Sequence, residues 1–394
     1  MDAAAQGTDD ARPNERKPNE RKPNEGQPGE GKSGESKSGE GKPGATLLSL
    51  TREELEQRVV ELGGRSFHAK IARENVLGKG QLDYAQMTSL PASLREALAH
   101  ELPILAGDEV TRSSSVDKTT KLLISFPRGK SERDVAVETV HMPSLYTAEE
   151  GEHVPGATLC VSTQAGCPVG CPFCASGQLG LARNLEAHEI LEQYVRGRAL
   201  GPLARSVVMG MGEPLLNYKA LAIALDAVHD EMGLGSRKVT VSTVGFPERL
   251  RELAPQKPRF QLAISLHTPD QAQRDELVPA MKGVPIEEVL AAGDDWFQKT
   301  GREVTYEYVL LGKSNDSVEH AERLAARLRG RRCTVNLIPF NPVEGSPFKR
   351  PGSREVEFFR AELEAEGVIA TVRWSRGLES DSACGQLRLR NARA

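Results

Sequence analysis

Cys167, Cys171 and Cys174 lie in the run Gly166-Cys-Pro-Val-Gly-Cys-Pro-Phe-Cys-Ala175, spaced so that one tight loop can wrap a single inorganic centre. Thiolates are soft ligands that select zinc, copper(I) or iron–sulfur clusters. A four-iron cluster has four corners, so three cysteines leave one iron open to a substrate or cofactor. A structural zinc site closes its fourth position with another Cys or His. None follows here at that spacing: the next cysteine is Cys333, and His188 falls in a helical pattern. The spacing favours an open iron–sulfur site, with zinc and inert thiols as the alternatives.

Elements able to carry such a loop begin at Thr158. Short apolar strands are expected at 158–162, 206–211, 238–243, 261–267, 304–311 and 333–339. They alternate with helical patterns at 186–200, 217–231, 286–299, 317–328 and 353–366. Runs such as Val207-Val208-Met209 and Leu262-Ala263-Ile264 suit strands buried on both faces, and βα alternation implies a parallel sheet. Six such units predict an α/β fold built on an open, partial barrel. Ligands of such sheets sit at the C-terminal ends of the strands, where the unusual residues fall. The cysteine loop follows the first strand, Gly210-Met-Gly212-Glu213-Pro the second, Ser242-Thr243 the third, Ser265-Leu-His267 the fourth and Asn341-Pro the sixth.

Ahead of the barrel, Thr51 and Glu54 read as a capping box and Gly63-Gly64 as a helix stop. Residues 46–110 are expected to form a small helical accessory domain, and 111–150 a β-rich connector with strands at 121–126 and 135–140. The barrel core is expected over 151–375, with a C-terminal tail over 376–394. Residues 13–42 repeat with period five (Pro-Asn-Glu-Arg-Lys and variants) and contain no apolar side chain, so 1–45 is expected to be a disordered leader.

No run approaches the ~18 apolar residues of a membrane span, and six cysteines in 394 residues are too few for a disulfide scaffold. A soluble, cytoplasmic protein with no membrane partner is expected. A net charge of −4 gives no global attraction to nucleic acid. RNA would have to use local clusters: Arg323, Arg327, Arg329, Arg331 and Arg332, then Lys349 and Arg350, and a tail with Arg388, Arg390 and Arg393.

From about Leu50 to Leu387 the chain resembles the radical S-adenosylmethionine enzymes. More narrowly, it resembles the adenosine methyltransferases of bacterial large-subunit ribosomal RNA, the RlmN/Cfr family. The resemblance is carried by Thr158-Leu-Cys160-Val-Ser-Thr-Gln164, the cysteine loop, Met209-Gly-Met-Gly-Glu-Pro-Leu-Leu-Asn217, Ile264-Ser-Leu-His267, Asn336-Leu-Ile-Pro-Phe-Asn341-Pro and Ala383-Cys384-Gly-Gln-Leu387. The chain departs from the family just before Cys384, reading Leu378-Glu-Ser-Asp-Ser-Ala383.

The resemblance implies a [4Fe-4S] cluster on Cys167, Cys171 and Cys174. It implies S-adenosylmethionine against Gly212, Glu213, Ser242, Ser265, Leu266, His267 and Asn341. It implies C2 of adenosine 2503 in 23S ribosomal RNA as the substrate, with a transfer RNA adenosine as a further one. In the family pattern Cys384 carries a methyl group that becomes a carbon radical and adds to adenine, Cys160 then attacks Cys384 to release the product, and Glu138 accepts a proton. A one-electron donor such as flavodoxin and a monomeric state are expected; Cys333 matches no role. Rival readings are methylation at C8 of the same base, a zinc-dependent RNA-binding protein without catalysis, and a glycyl-radical activase, which would need neither Cys160 nor Cys384.

Overall fold

The computed structural model describes residues 44–126, 134–144, 156–377 and 381–387. The period-five leader and the arginines of the last seven residues lie outside them. The described residues belong to one compact unit spanning Gly41–Ala394.

The chain enters through a helical layer: α1 (Arg52–Glu61), α2 (Ser66–Arg73) and α3 (Ala92–Glu101). The expected capping box is present, with Glu54 N–H donating to the Thr51 hydroxyl at 3.2 Å and Thr51 N–H to the Glu54 carboxylate at 2.8 Å. The stop also forms as read. Gly63 turns left-handed at φ 84°, and the N–H groups of Gly63 and Gly64 donate back to Val60 and Val59, the paired bonds that close a helix on a C-terminal glycine.

A ten-stranded sheet follows. Its elements in chain order are β1 (Asp108–Ser114), β2 (Thr120–Phe126), β3 (Val135–Met142), β4 (Ala157–Cys160), β5 (Gln164–Gly166), α4 (Ala175–Gln178), β6 (Leu181–Asn184), α5 (Ala187–Leu200), β7 (Leu203–Val208), α6 (Tyr218–Asp230), β8 (Val239–Thr243), α7 (Pro247–Leu253), β9 (Gln261–Ser265), α8 (Gln271–Leu277), α9 (Ile286–Thr300), β10 (Val304–Leu310), α10 (Val318–Leu328), β11 (Cys333–Pro339), α11 (Ser353–Ala365) and β12 (Ala370–Val372). The sheet order is β1-β2-β3-β4-β7-β8-β9-β10-β11-β12, with β5 and β6 forming a separate hairpin. From β4 to β12 every neighbouring pair is parallel. The parallel sheet with crossover helices is the predicted α/β partial barrel.

Three features differ from the sequence reading. The strands expected in a connector are joined antiparallel to the barrel sheet through β3 and β4, and β1 extends them by one more strand. The second core strand stops at Val208, and beyond it Gly212, at φ 105° and with a Cβ that would stand 2.7 Å from the Gln164 side chain, packs tightly against the first strand's mouth. A seventh parallel strand, β12, and the short helices α7 and α8 escaped detection, being of three and seven residues, shorter than the window in which periodicity is legible.

The interior is apolar, with Ala263 and Ile264 on β9 and Val335 and Leu337 on β11 fully buried on either side of β10, and Trp296 stacked on Phe260 at 5.6 Å. Buried polar ties hold the helical layer to it: Glu192 on α5 accepts from the N–H groups of Ala106 and Gly107, and Arg73 on α2 pairs with Glu231 at 2.6 Å. Among the described residues no helix is long and apolar enough to cross a membrane.

Candidate functional site

The C-terminal ends of the parallel strands surround a cavity of about 150 Å³. Its walls include Cys167, Cys171, Cys174, Gly212, Glu213, Ser242, Ser265, His267, Asn341 and Cys384. Residues separated by more than two hundred positions in sequence thus converge at one rim. Leu266, Cys160 and Glu138 are not among the walls.

The cysteine loop is pinned on several sides. Gly166, at φ 79°, closes the β5–β6 hairpin where a Cβ would lie 1.8 Å from the Gly180 carbonyl, and Cys167 N–H donates to that carbonyl at 2.8 Å. Ala280 N–H reaches Val169 O at 3.2 Å, and Ala175 N–H reaches Gly385 O at 2.8 Å. The Phe173 ring meets the His267 imidazole edge-on at 4.9 Å. Burial pushes the Cys167 thiol up to about 12, and the Cys171 and Cys174 thiols up as well. For Cys171 the neighbouring Cys174 and Cys167 add to the rise. Three crowded thiols in a dry wall are neutral by themselves; a bound cationic centre deprotonates such groups outright.

Facing the loop, Glu213 is buried and its carboxyl is raised by that burial. Its Oε1 accepts from the Thr243 hydroxyl at 2.6 Å and Leu215 N–H at 2.9 Å, and its Oε2 accepts from Val244 N–H at 2.9 Å. A carboxylate offers about four lone-pair sites, so one remains on Oε2. Ser242 and Ser265 lie with hydroxyls 3.4 Å apart. His267 adopts the left-handed backbone at φ 65°, which is uncommon for a non-glycine residue and marks a constrained position. Val309 N–H donates to its Nδ1 at 3.2 Å, which leaves the ring proton on Nε2. Burial, with the charge of Arg274, lowers its pKa to about 3 and keeps the ring neutral.

The cysteine of the C-terminal segment is held over this cavity from below. Asn341 Nδ2 donates to Cys384 O at 2.9 Å, and Arg350 fixes the other end of that amide at 2.8 Å. Ser176 donates to Leu387 O at 2.8 Å. The Cys384 side chain is exposed, but to the cavity, whose walls shield it and raise its thiol. Cys160 is buried just behind: burial and the adjacent Cys384 push its thiol up to about 12, against the pull of Arg373. Glu138 is buried on β3 and paired with Lys121 Nζ at 2.9 Å, and the same ammonium donates to Asp381 O at 3.1 Å, three residues ahead of Cys384.

Residues 161–325 match the model of the Radical SAM superfamily. The chain is 40% identical over 353 residues to a probable dual-specificity RNA methyltransferase RlmN of Parasynechococcus marenigrum, covering 87% of this chain and 98% of the relative. It is 41% identical to the protein of the same description from Gloeobacter violaceus, covering 88% and 95%. The chain belongs to the RlmN family of radical S-adenosylmethionine methyltransferases. A crystal structure of a radical SAM methyltransferase from Sphaerobacter thermophilus superposes with a TM-score of 0.77 at 40% identity, over 87% of this chain and 99% of that one.

Several site residues of this RlmN-family chain were not singled out from sequence. Glu307 lines the cavity from the middle of β10, with burial raising its carboxyl to about 7 and Asn336 donating to it at 2.7 Å. The signal was available: a carboxylate inside Val304-Thr-Tyr-Glu-Tyr-Val-Leu310, a strand buried on both faces, must point into a barrel. Thr243 as partner of Glu213 and Phe173 as partner of His267 left no such signal.

The arginines expected to attract RNA are otherwise engaged. Arg323 pairs with Asp270, Arg327 with Glu287, Arg329 with Glu366, Arg331 with Asp294 and Glu287, and Arg332 with Glu303. Arg350 is folded against Pro339, Phe340 and Asn341.

Proposed function

We propose that the chain methylates adenosine in RNA by radical chemistry, at C2 of adenosine 2503 in 23S ribosomal RNA, with a transfer RNA adenosine as a further substrate. The observation that carries this reading is the convergence of three loop thiols and Cys384 on one cavity, with Cys160 buried near enough for Cys384 to act on its thiol. The ring carbon to be methylated is neither acidic nor nucleophilic, so ordinary displacement is too slow and a cofactor must supply the reactivity.

The donor set fits a cluster. Three thiols share one wall, whereas among the described residues no three His, Cys, Asp or Glu side chains converge on a point as the ligands of a single ion must. Thiols that cap separate corners of a [4Fe-4S] cluster need not do so. Cys167, Cys171 and Cys174 would hold the cluster, and S-adenosylmethionine would lie against Gly212, Glu213, Ser242, Ser265, His267 and Asn341, with Leu266 buried behind that wall. When bound, the two supply the methyl group and a one-electron route to a carbon radical.

The chain's own residues do the rest. The remaining lone pair of Glu213 suits an ammonium group, and neutral His267 offers a hydrogen bond without repelling that cation. Cys384 carries the methyl group that becomes bonded to adenine, while Asn341 and Arg350 hold its backbone. Glu138, kept by Lys121, would accept the proton lost from the base, and the odd electron of the adduct would return to the one-electron centre held by the loop thiols, which leaves a closed-shell thioether on Cys384. Cys160 then attacks the Cys384 sulfur. The S–S bond forms, the S–C bond breaks, and its electron pair leaves with the methylene carbon, which takes up a proton to complete the methyl group. A flavodoxin-type donor, a monomeric state and a cytoplasmic setting complete the reading, with the helical layer as the RNA-binding part.

The test is anaerobic incubation with deproteinised ribosomal RNA and labelled S-adenosylmethionine, followed by nucleoside analysis. Label at C2 of one adenosine is expected. Label at C8 would assign the rival branch, and a colourless, zinc-loaded protein that transfers no label would overturn the reading.

A further inference from the structure

Arg274, on α8, is among the largest side chains of the protein that are fully buried. A guanidinium stays charged in proteins and presents five N–H donors. Here Nη2 donates to Val244 O at 2.9 Å, while Nε and Nη1 are buried with no partner among the described residues. The carboxylate next to it in sequence, Asp275, is close enough for its charge to act on the guanidinium but accepts no hydrogen bond from it, its Oδ1 being taken up by Gln271 at 2.7 Å and Gly283 N–H at 3.3 Å. Burying a charged group with its donors left unpaired is among the costliest arrangements a fold can hold. Such a group persists where something outside the polypeptide completes it.

Its position says what that is. Val244 is a wall of the cavity and donates to Glu213. The turn after α8 bonds into the cysteine loop through Ala280 and Val169, two residues before Cys171. The guanidinium therefore stands between the cavity wall and the cysteine loop, close enough for its charge to act on Cys171 and on His267. We propose that Arg274 is the built-in counter-charge of the thiolate-ligated cluster, with its unpartnered N–H groups stabilising that anionic centre most strongly after it has accepted an electron. This rests on the cluster reading above. One electron from the donor makes the centre more negative by one charge, so a fixed cation beside it favours the reduced form and raises the reduction potential.

Arg274→Met and Arg274→Lys test this in the full chain, by melting of the iron-free protein, potentiometric titration of the reconstituted cluster and the rate of iron release to a chelator. Replacing an unpaired buried charge by an apolar side chain of similar volume leaves a fold as stable or more so. Arg274→Met is therefore expected to melt at or above wild type without iron, yet to show a more negative midpoint potential and severalfold faster iron release. Arg274→Lys, which keeps the charge but loses the fork, should fall between the two. An unchanged midpoint and iron-release rate in both variants would overturn the proposal. So would a Met variant that melts lower with its midpoint unmoved, since Arg274 would then be structural only. If Arg274→Met does not fold, Arg274→Gln decides: it removes the charge while keeping a polar side chain, and a midpoint equal to wild type overturns the proposal. A wild-type protein that takes up no iron and sulfide at all would instead overturn the cluster reading.

Discussion

Charge is handled in opposite ways on the outside of the barrel and at its rim. Along α10 and the segment after it, Arg323, Arg327, Arg329, Arg331 and Arg332 each meet a carboxylate at the surface. At the rim, Glu213 is answered by a hydroxyl and two N–H groups, Glu307 by an amide with Arg373 acting from farther off, and Arg274 by one carbonyl with Asp275 acting from farther off; among the described residues none of the three is in a salt bridge. Exposed ion pairs contribute roughly 0–1 kcal/mol each, so the outer set says little about function. Buried ionisable groups without charged partners are costly, and they cluster where chemistry needs them. The informative charges in this chain are the few buried ones, not the many visible ones.

The strongest way to sharpen that contrast is to remove a thiol from the rim. Cys171→Ala should abolish iron binding, since three thiolates are the whole protein ligand set and one iron would lose its anionic partner. Iron and sulfide content measures this directly. A variant that kept full iron and still cleaved S-adenosylmethionine would show that the loop is not the ligand set.

Next in size are the two cysteines of the C-terminal side. Cys384→Ala should retain iron and lose RNA methylation entirely. Cys160→Ala should instead trap a covalent protein–RNA species, visible on denaturing gels as a heat-stable band that ribonuclease removes. Two unrelated structural thiols would give only modest stability losses and no such band, and normal turnover by Cys160→Ala would sink the assignment.

A smaller effect distinguishes Glu307. Burial raises its carboxyl from 4.5 to about 7, so the folded chain holds a proton that the unfolded chain releases earlier. The sign follows: stability is greatest below the ordinary carboxylate range, falls as pH rises from about 4.5 to 7, and is level above that. At 1.36 kcal/mol per pKa unit the loss is up to about 3 kcal/mol. Glu307→Gln should flatten this dependence in the iron-free protein, read as urea midpoints at pH 5 and pH 8. Equal pH slopes in the two proteins would place the titration elsewhere.

The sheet and the rim were legible because parallel strands buried on both faces are apolar throughout, and any polar or glycine residue closing such a strand stands out. Thus Ser242, Ser265 and His267 could be placed from sequence. Glu307 was equally visible, yet it lies within a strand rather than at its end. Arg274 was not legible, since an arginine on a short helix reads as surface, and only the packing of α8 against the cysteine loop buries it. The pairing of the outer arginines was hidden for the converse reason. Their partners come from other elements: Glu287 and Asp294 from α9, Asp270 from the cap of α8, and Glu366 from the end of α11. No local pattern announces such pairs.

The smallest predicted effect therefore tests the outer surface itself. Arg327 and Arg331 share Glu287, and Arg331 also reaches Asp294. Because these carboxylates already neutralise them, Arg327→Ala and Arg331→Ala should change stability by no more than about 1 kcal/mol each. RNA affinity should stay at its wild-type value. A residue that contacts phosphate releases counterions on binding, so its loss makes the plot of log affinity against log salt shallower by about one unit. Fluorescence titrations with an RNA fragment at several salt concentrations would reveal that change. A parallel slope in both variants leaves the outer arginines as pairs that knit α8, α9 and α10 together. A shallower slope with weaker binding would mean that RNA phosphates displace Glu287 and Asp294, and the contrast between a paired exterior and an unpaired rim would fail.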